Sequence, residues 1–233
     1  MMTGYLRLVI LRQRGMLRSV KGKTLWPLAL MVVFALSRVP GMLPPDFSAV
    51  YGLLFCGGVY FSGRLAWWLP LATLLVTDIG LDFYYLHLGV PVFQLPQLEY
   101  QFINYVGYLG LVWLGRRYKP HSSFLSLLGG GVLGAMLFYL ITNTASWLFN
   151  PFGNPEYTRN LIGWLTALTK GTEGWPQTWE FFRNTLLSGG IFTGLFVGAM
   201  KMVEASESAQ EKEAEPEVEA EPDSEEQPDE AKA

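Results

Sequence analysis

Six apolar segments, at roughly 25–39, 48–62, 66–84, 100–115, 124–142 and 185–201, divide this chain, and the Lys and Arg residues between them fall in alternate connections. A polytopic membrane protein accounts for that alternation, because positively charged connections stay on the cytoplasmic side of a bilayer. Residues 1–24 hold Arg7, Arg12, Arg14, Arg18, Lys21 and Lys23 with no acid. Arg64 lies between the second and third segments, Arg116, Arg117 and Lys119 between the fourth and fifth, and Lys201 at the end of the sixth. The connections at 40–47 and 85–98 have no Lys or Arg, and 143–184 is mixed. One topology satisfies all of them: about six transmembrane helices with both the N-terminus and the C-terminus cytoplasmic. The predicted fold class is all-α.

Segment length fits that reading unevenly. Crossing ~30 Å of hydrocarbon takes about 17–25 helical residues. The third and fifth segments reach that length, and the others are short, so their ends must lie among headgroups or be shielded by protein. Trp67-Trp68 and Tyr84-Tyr85 sit at the two ends of the third, where aromatic rings prefer the interfaces. The segment at 25–39 is read as a retained span, because it ends in Ser37-Arg38-Val39-Pro40 and not in a small-residue cleavage site.

Charge divides the chain into domains. Only 16% of residues are charged, against about a quarter in soluble domains. Of the 20 acids, 13 lie in residues 204–233, which read as an acidic, disordered cytoplasmic tail. Residues 1–24 form a basic cytoplasmic segment, and 25–203 the six-helix membrane domain. One cysteine, Cys56, and two histidines, His87 and His121, exclude a disulfide framework and a Cys/His metal cluster. No phosphate-binding glycine loop, zinc-protease or serine-hydrolase motif is present, so no catalytic residue, metal or cofactor is predicted. Nothing points to nucleic acid, and the expected surroundings are the lipid bilayer.

Polar residues near the spans gather toward the outer side. Arg38 ends the first helix and Asp46 follows in the loop. Asp78 and Asp82, four apart on one face, close the third; Gln101 and Asn104 lie in the outer half of the fourth. Asn143 and Trp147 end the fifth, and Arg183 and Asn184 open the sixth. Arg38 has three open choices: Asp46, Asp78, or headgroups. Ionisable groups at membrane depth are costly and usually face a cavity or a partner, so the set predicts an outward pocket for substrate. Leu161–Leu168, inside the long 143–184 connection, reads as a short interfacial or re-entrant helix forming a lid. For packing, Gly190, Gly194 and Gly198 make a small-residue stripe on the last helix, and Gly130 and Gly134 mark the fifth.

Ser37-Arg38 with Pro40, Asp46-Phe47-Ser48-Ala49-Val50, Gly57-Gly58, Thr77-Asp78 and Thr142-Asn143 with Trp147 also carry a resemblance. Over residues 25–203 the chain resembles a small uncharacterised bacterial family described as transport membrane proteins. That family is similar to the membrane-embedded substrate-binding (S) components of energy-coupling-factor vitamin transporters. The resemblance implies a bacterial inner membrane and an outer pocket among the ends of the last three spans, under the first loop and the lid. It also implies a transmembrane coupling protein and ATPases as partners. The expected role is uptake of a small vitamin-like or polar solute. The alternative is a non-transporting scaffold or assembly partner of a cell-envelope complex.

Overall fold

The computed structural model describes residues 29–44 and 46–214, with side chains through 209. The basic segment 1–24 and the tail beyond 214 lie outside the described residues. All regular structure among the described residues is helical. Helix α1 is seen over 29–37. It is followed by α2 (Val50–Tyr60), α3 (Leu65–His87), α4 (Leu95–Gly115), α5 (Phe124–Phe149), α6 (Leu161–Thr169) and α7 (Thr178–Ala214).

Among the described residues, three helices are long and apolar enough to cross a membrane: Leu65–His87, Phe124–Phe149 and, within α7, Thr178–Ala209. Large apolar side chains stand exposed on α3 (Trp68, Val76, Phe83), α4 (Phe102, Trp113) and α7 (Ile191, Leu195). A patch of that size in water would drive association, whereas hydrocarbon accepts it. The chain is therefore a membrane protein with several long apolar helices.

The other three expected spans differ from that pattern for separate reasons. Helix α4 has 21 residues, but Gln97, Glu99, Gln101 and Asn104 reduce the apolarity of its first half. Of α1, only the part from residue 29 is described. Helix α2 has 11 residues, so it rises about 17 Å and cannot cross hydrocarbon alone.

Burial explains why α2 is apolar all round. Every residue from Val50 to Val59 is buried, and α3, α4, α5 and α7 all pack against it. It is a core element, apolar on every side, as a helix enclosed by others must be. Its glycines make this enclosure possible. A Cβ on Gly58 would strike the Val112 carbonyl oxygen and stand 3.0 Å from the Gly115 Cα, so α2 and α4 touch backbone to backbone.

The glycine contacts also relocate the predicted seam on α7. Gly130 and Gly134 lie against Phe55 and Leu111, with no room for a Cβ. Gly190 and Gly194 have only ordinary contacts, and Gly198 has nothing within 4 Å. The tight line runs one residue earlier, through Gly189 and the fully buried Thr193 and Val197. Thr193 fills the gap there, with Gly52 and Gly131 yielding space on the facing helices. The small residues sit opposite a larger one, not on the same helix face.

Helix ends also extend past the predicted limits. Thr142 and Asn143 look like terminating residues, yet the Thr142 hydroxyl donates to the Phe138 carbonyl at 2.9 Å and the Asn143 amide to that of Tyr139 at 2.9 Å. Their polar groups are satisfied within the helix, so α5 continues to a left-handed Asn150 cap. Helix α7 runs to Ala214, into residues read as the start of the disordered tail. Glu204-Ala-Ser-Glu-Ser-Ala-Gln adds turns to a helix already nucleated by packing, which costs far less than starting one.

Candidate functional site

The loop joining α1 to α2 is pinned at its base. The Ser37 hydroxyl donates to the Phe34 carbonyl at 2.7 Å and accepts the Ala49 N–H at 3.3 Å. Arg38 follows immediately, so its guanidinium is delivered sideways from the end of α1 toward α3. Asp46, in the same loop, holds φ at 56°, a conformation that Asp tolerates better than most residues.

Helix α3 meets the bundle along a narrow stripe. Its buried residues are Ala66, Pro70, Leu74 and Asp78, each four after the last. The carboxylate at the end of that stripe takes two partners. Arg38 Nη2 donates to Asp78 Oδ1 in an ion pair, and the Tyr105 hydroxyl donates to Asp78 Oδ2 at 2.7 Å. Both charged side chains are largely buried, at 15% and 10% exposure. Of the choices the sequence left open to Arg38, the structure takes Asp78.

Two cavities flank this triad. The first, about 240 Å³, opens between the C-terminal half of α3 and the N-terminal half of α4. Asp82, Gln97, Gln101 and Asn104 line it beside the ion pair. The second, about 300 Å³, lies under the first loop, with Asp46, Ser48, Tyr51 and Tyr85 in its wall. Arg38 and Tyr108 belong to both. The Tyr108 ring stacks on Phe138 at 4.8 Å and meets Tyr105 edge-on at 5.8 Å, giving the site a rigid aromatic floor.

The predicted residues thus separate into two groups. Arg38, Asp78, Gln101 and Asn104 converge on the first cavity and Asp46 on the second. Asn143, Trp147, Arg183 and Asn184 line neither. Trp147 donates its indole N–H to the Thr158 carbonyl at 2.7 Å, and Arg183 lies over the Trp179 ring at 5.5 Å. Trp147 thereby ties the end of α5 to the long connection, and Arg183 is engaged within α7. Tyr100, Tyr105 and Tyr108 complete the first cavity and are not among the residues the sequence singles out. Their spacing on one side of α4, next to Gln101 and Asn104, is the signal that could have found them.

Helix α6 also sits away from the cavities. It packs on α5 and α7, and the Tyr139 hydroxyl donates to the Leu168 carbonyl at 2.6 Å while lying 3.2 Å from that of Thr178. The connection reaches the first cavity through Phe152, whose ring contacts Tyr100 at 5.9 Å. Tyr139→Phe is expected to cost about 1–3 kcal/mol by stranding a carbonyl. Protease cleavage within 150–177 should rise more than global unfolding would account for. A second clasp is pH-dependent. The Glu173 N–H donates to Glu156 at 2.9 Å, which holds that carboxyl below its ordinary value. Its contribution is complete above the ordinary carboxylate range and is lost as the pH falls through the lowered value. Glu156→Gln should flatten the acid-induced rise in cleavage of this connection.

A family model described as a family of unknown function, DUF6580, matches residues 18–212. The chain belongs to the DUF6580 family. The match takes in every cavity-lining residue of this DUF6580 protein and stops within α7. No curated protein and no solved structure matches it.

Proposed function

We propose that this DUF6580 protein is a substrate-binding membrane subunit for uptake of a small polar or vitamin-like solute. It has six spans in a bacterial inner membrane, both termini cytoplasmic, and a role in binding, not catalysis. The observation that carries this reading is the Arg38–Asp78–Tyr105 triad standing between two cavities inside an otherwise apolar bundle. Charged groups at membrane depth are expensive and are kept where they serve a substrate path or a ligand. Amide side chains on the same wall supply donors and acceptors that a purely structural ion pair would not need. The resemblance to S components of energy-coupling-factor transporters accords with this role, and it makes a coupling protein and ATPases the expected partners.

The test is thermal unfolding of the purified protein against a broad panel of vitamins and metabolites. A ligand held at a hundred times its Kd adds about 2.7 kcal/mol. At least one compound should raise the melting temperature, and the shift should vanish in Asn104→Ala and Gln101→Ala. Scaffolding of a cell-envelope complex is the second reading, favoured by the uncovered Gly198 and the length of α7. A panel without hits, together with co-purification of envelope-synthesis proteins in place of nucleotide-binding ATPases, would select it.

A further inference from the structure

The charge on the cavity walls is not balanced. Among the described residues, Arg38 is the only cation lining either cavity, and it is committed to Asp78. Asp82 in the first cavity and Asp46 in the second form no ion pair with any described residue. An uncompensated carboxylate beside apolar helices is stabilised by whatever cation can enter, because the weak dielectric screening there strengthens the attraction.

Two further features narrow the chemistry. Tyr100, Tyr105 and Tyr108 line the first cavity together with Asp82, and aromatic faces near a carboxylate favour an organic cation over an anion. Gln97, in the same wall, has its carbonyl Oε1 buried without a hydrogen-bond donor. A buried acceptor left unmade is costly, and a ligand N–H would satisfy it. A cation carrying N–H groups answers all three features. A carboxylate ligand would meet Asp82 and leave Gln97 unsatisfied.

We infer that the first cavity receives the ammonium group of a small organic amine, with Asp82 as its counter-ion, Gln97 Oε1 as a hydrogen-bond acceptor and the tyrosines as the cation-facing wall. This rests on the solute-binding reading above and adds the class of solute. At about 240 Å³ the cavity suits a small solute, not a polymer or a lipid chain.

Isothermal titration of the full-length purified protein with five probes tests it. Putrescine and ethanolamine carry N–H on a cation, tetramethylammonium is a cation without N–H, succinate is an anion, and glycerol is neutral. Ethanolamine or putrescine should bind, with tetramethylammonium weaker and succinate and glycerol undetectable. Asp82→Asn should weaken ammonium binding at least about tenfold, since it removes one partner of a charge pair. Gln97→Met should weaken it severalfold, and Glu99→Gln, an exposed residue outside the cavities, should leave it unchanged. Both lining variants remove groups without a fold-stabilising partner, so they should unfold at the wild-type temperature. Binding of succinate or glycerol without the amines would overturn the ammonium assignment and leave solute binding standing. Tetramethylammonium binding as tightly as the amines would overturn the role of Gln97. Failure of these probes to bind, while a metabolite without an ammonium group stabilises the protein, would likewise overturn the inference alone. Silence of these probes and of the whole metabolite panel would overturn both readings.

Discussion

Arg38→Ala is expected to destabilise the protein by about 3–5 kcal/mol, among the largest effects of any single side-chain truncation here. The cost comes less from the lost attraction than from the carboxylate left behind. Asp78 is buried on the one stripe of α3 that meets the bundle, and without Arg38 only the Tyr105 hydroxyl faces it. The double variant Arg38→Met with Asp78→Leu should recover most of the loss, because it removes both desolvated charges and keeps the volume filled. Equilibrium unfolding of wild type, Arg38→Met, Asp78→Leu and the double variant in a common detergent gives a coupling energy. Solute binding by the double variant separates a structural ion pair from a ligand-serving one. The double variant should be stable and unable to bind solute, since the cavities lose the charged group common to both. Restored stability with solute binding intact would remove Arg38 from the site.

Gly58→Leu is the second large effect. Overpacking a core usually costs about 1–3 kcal/mol, because neighbouring side chains rotate aside. Here the obstacles are the Val112 carbonyl and the Gly115 Cα, which belong to the backbone of α4 and cannot rotate. The variant should therefore fall at or beyond the top of that range and yield little monodisperse protein. Gly198→Leu should change stability by no more than about 0.5 kcal/mol, as nothing lies within 4 Å of its Cβ position. Reversal of that order would mean that α7 packs through its Gly190–Gly194–Gly198 stripe after all.

The helical order is legible from hydropathy, and all six apolar segments correspond to helices. Their lengths are less legible, because hydropathy registers apolarity and not what surrounds it. Val50–Tyr60 reads as a short span, but it is apolar because other helices enclose it. Hydropathy starts α4 only at residue 100, since Gln97 and Glu99 look extramembrane, whereas Pro96 in its first turn starts the helix at Leu95.

The site is partly legible for a related reason. Arg38 and Asp78 stand out in any apolar run, and their cost at membrane depth alone suggests a partner. Asn143 and Arg183 stand out equally in sequence, yet Asn143 bonds to its own helix and Arg183 to a neighbouring ring. Only the packing of α3 against α4 distinguishes the two groups. The tyrosines of α4 do not stand out because aromatic residues are frequent in membrane helices, and their shared face gains meaning only beside Asp82.

The most direct test of a solute site open to the outside is thiol labelling of Asn104→Cys in intact bacterial cells. Cys56 is the one native cysteine and is buried, so the background should be low. A membrane-impermeant maleimide should label Asn104→Cys without permeabilisation and leave Lys201→Cys unlabelled until the cells are opened. Labelling of Lys201→Cys in intact cells, with Asn104→Cys reached only after permeabilisation, would contradict both the orientation and the outward-facing cavity.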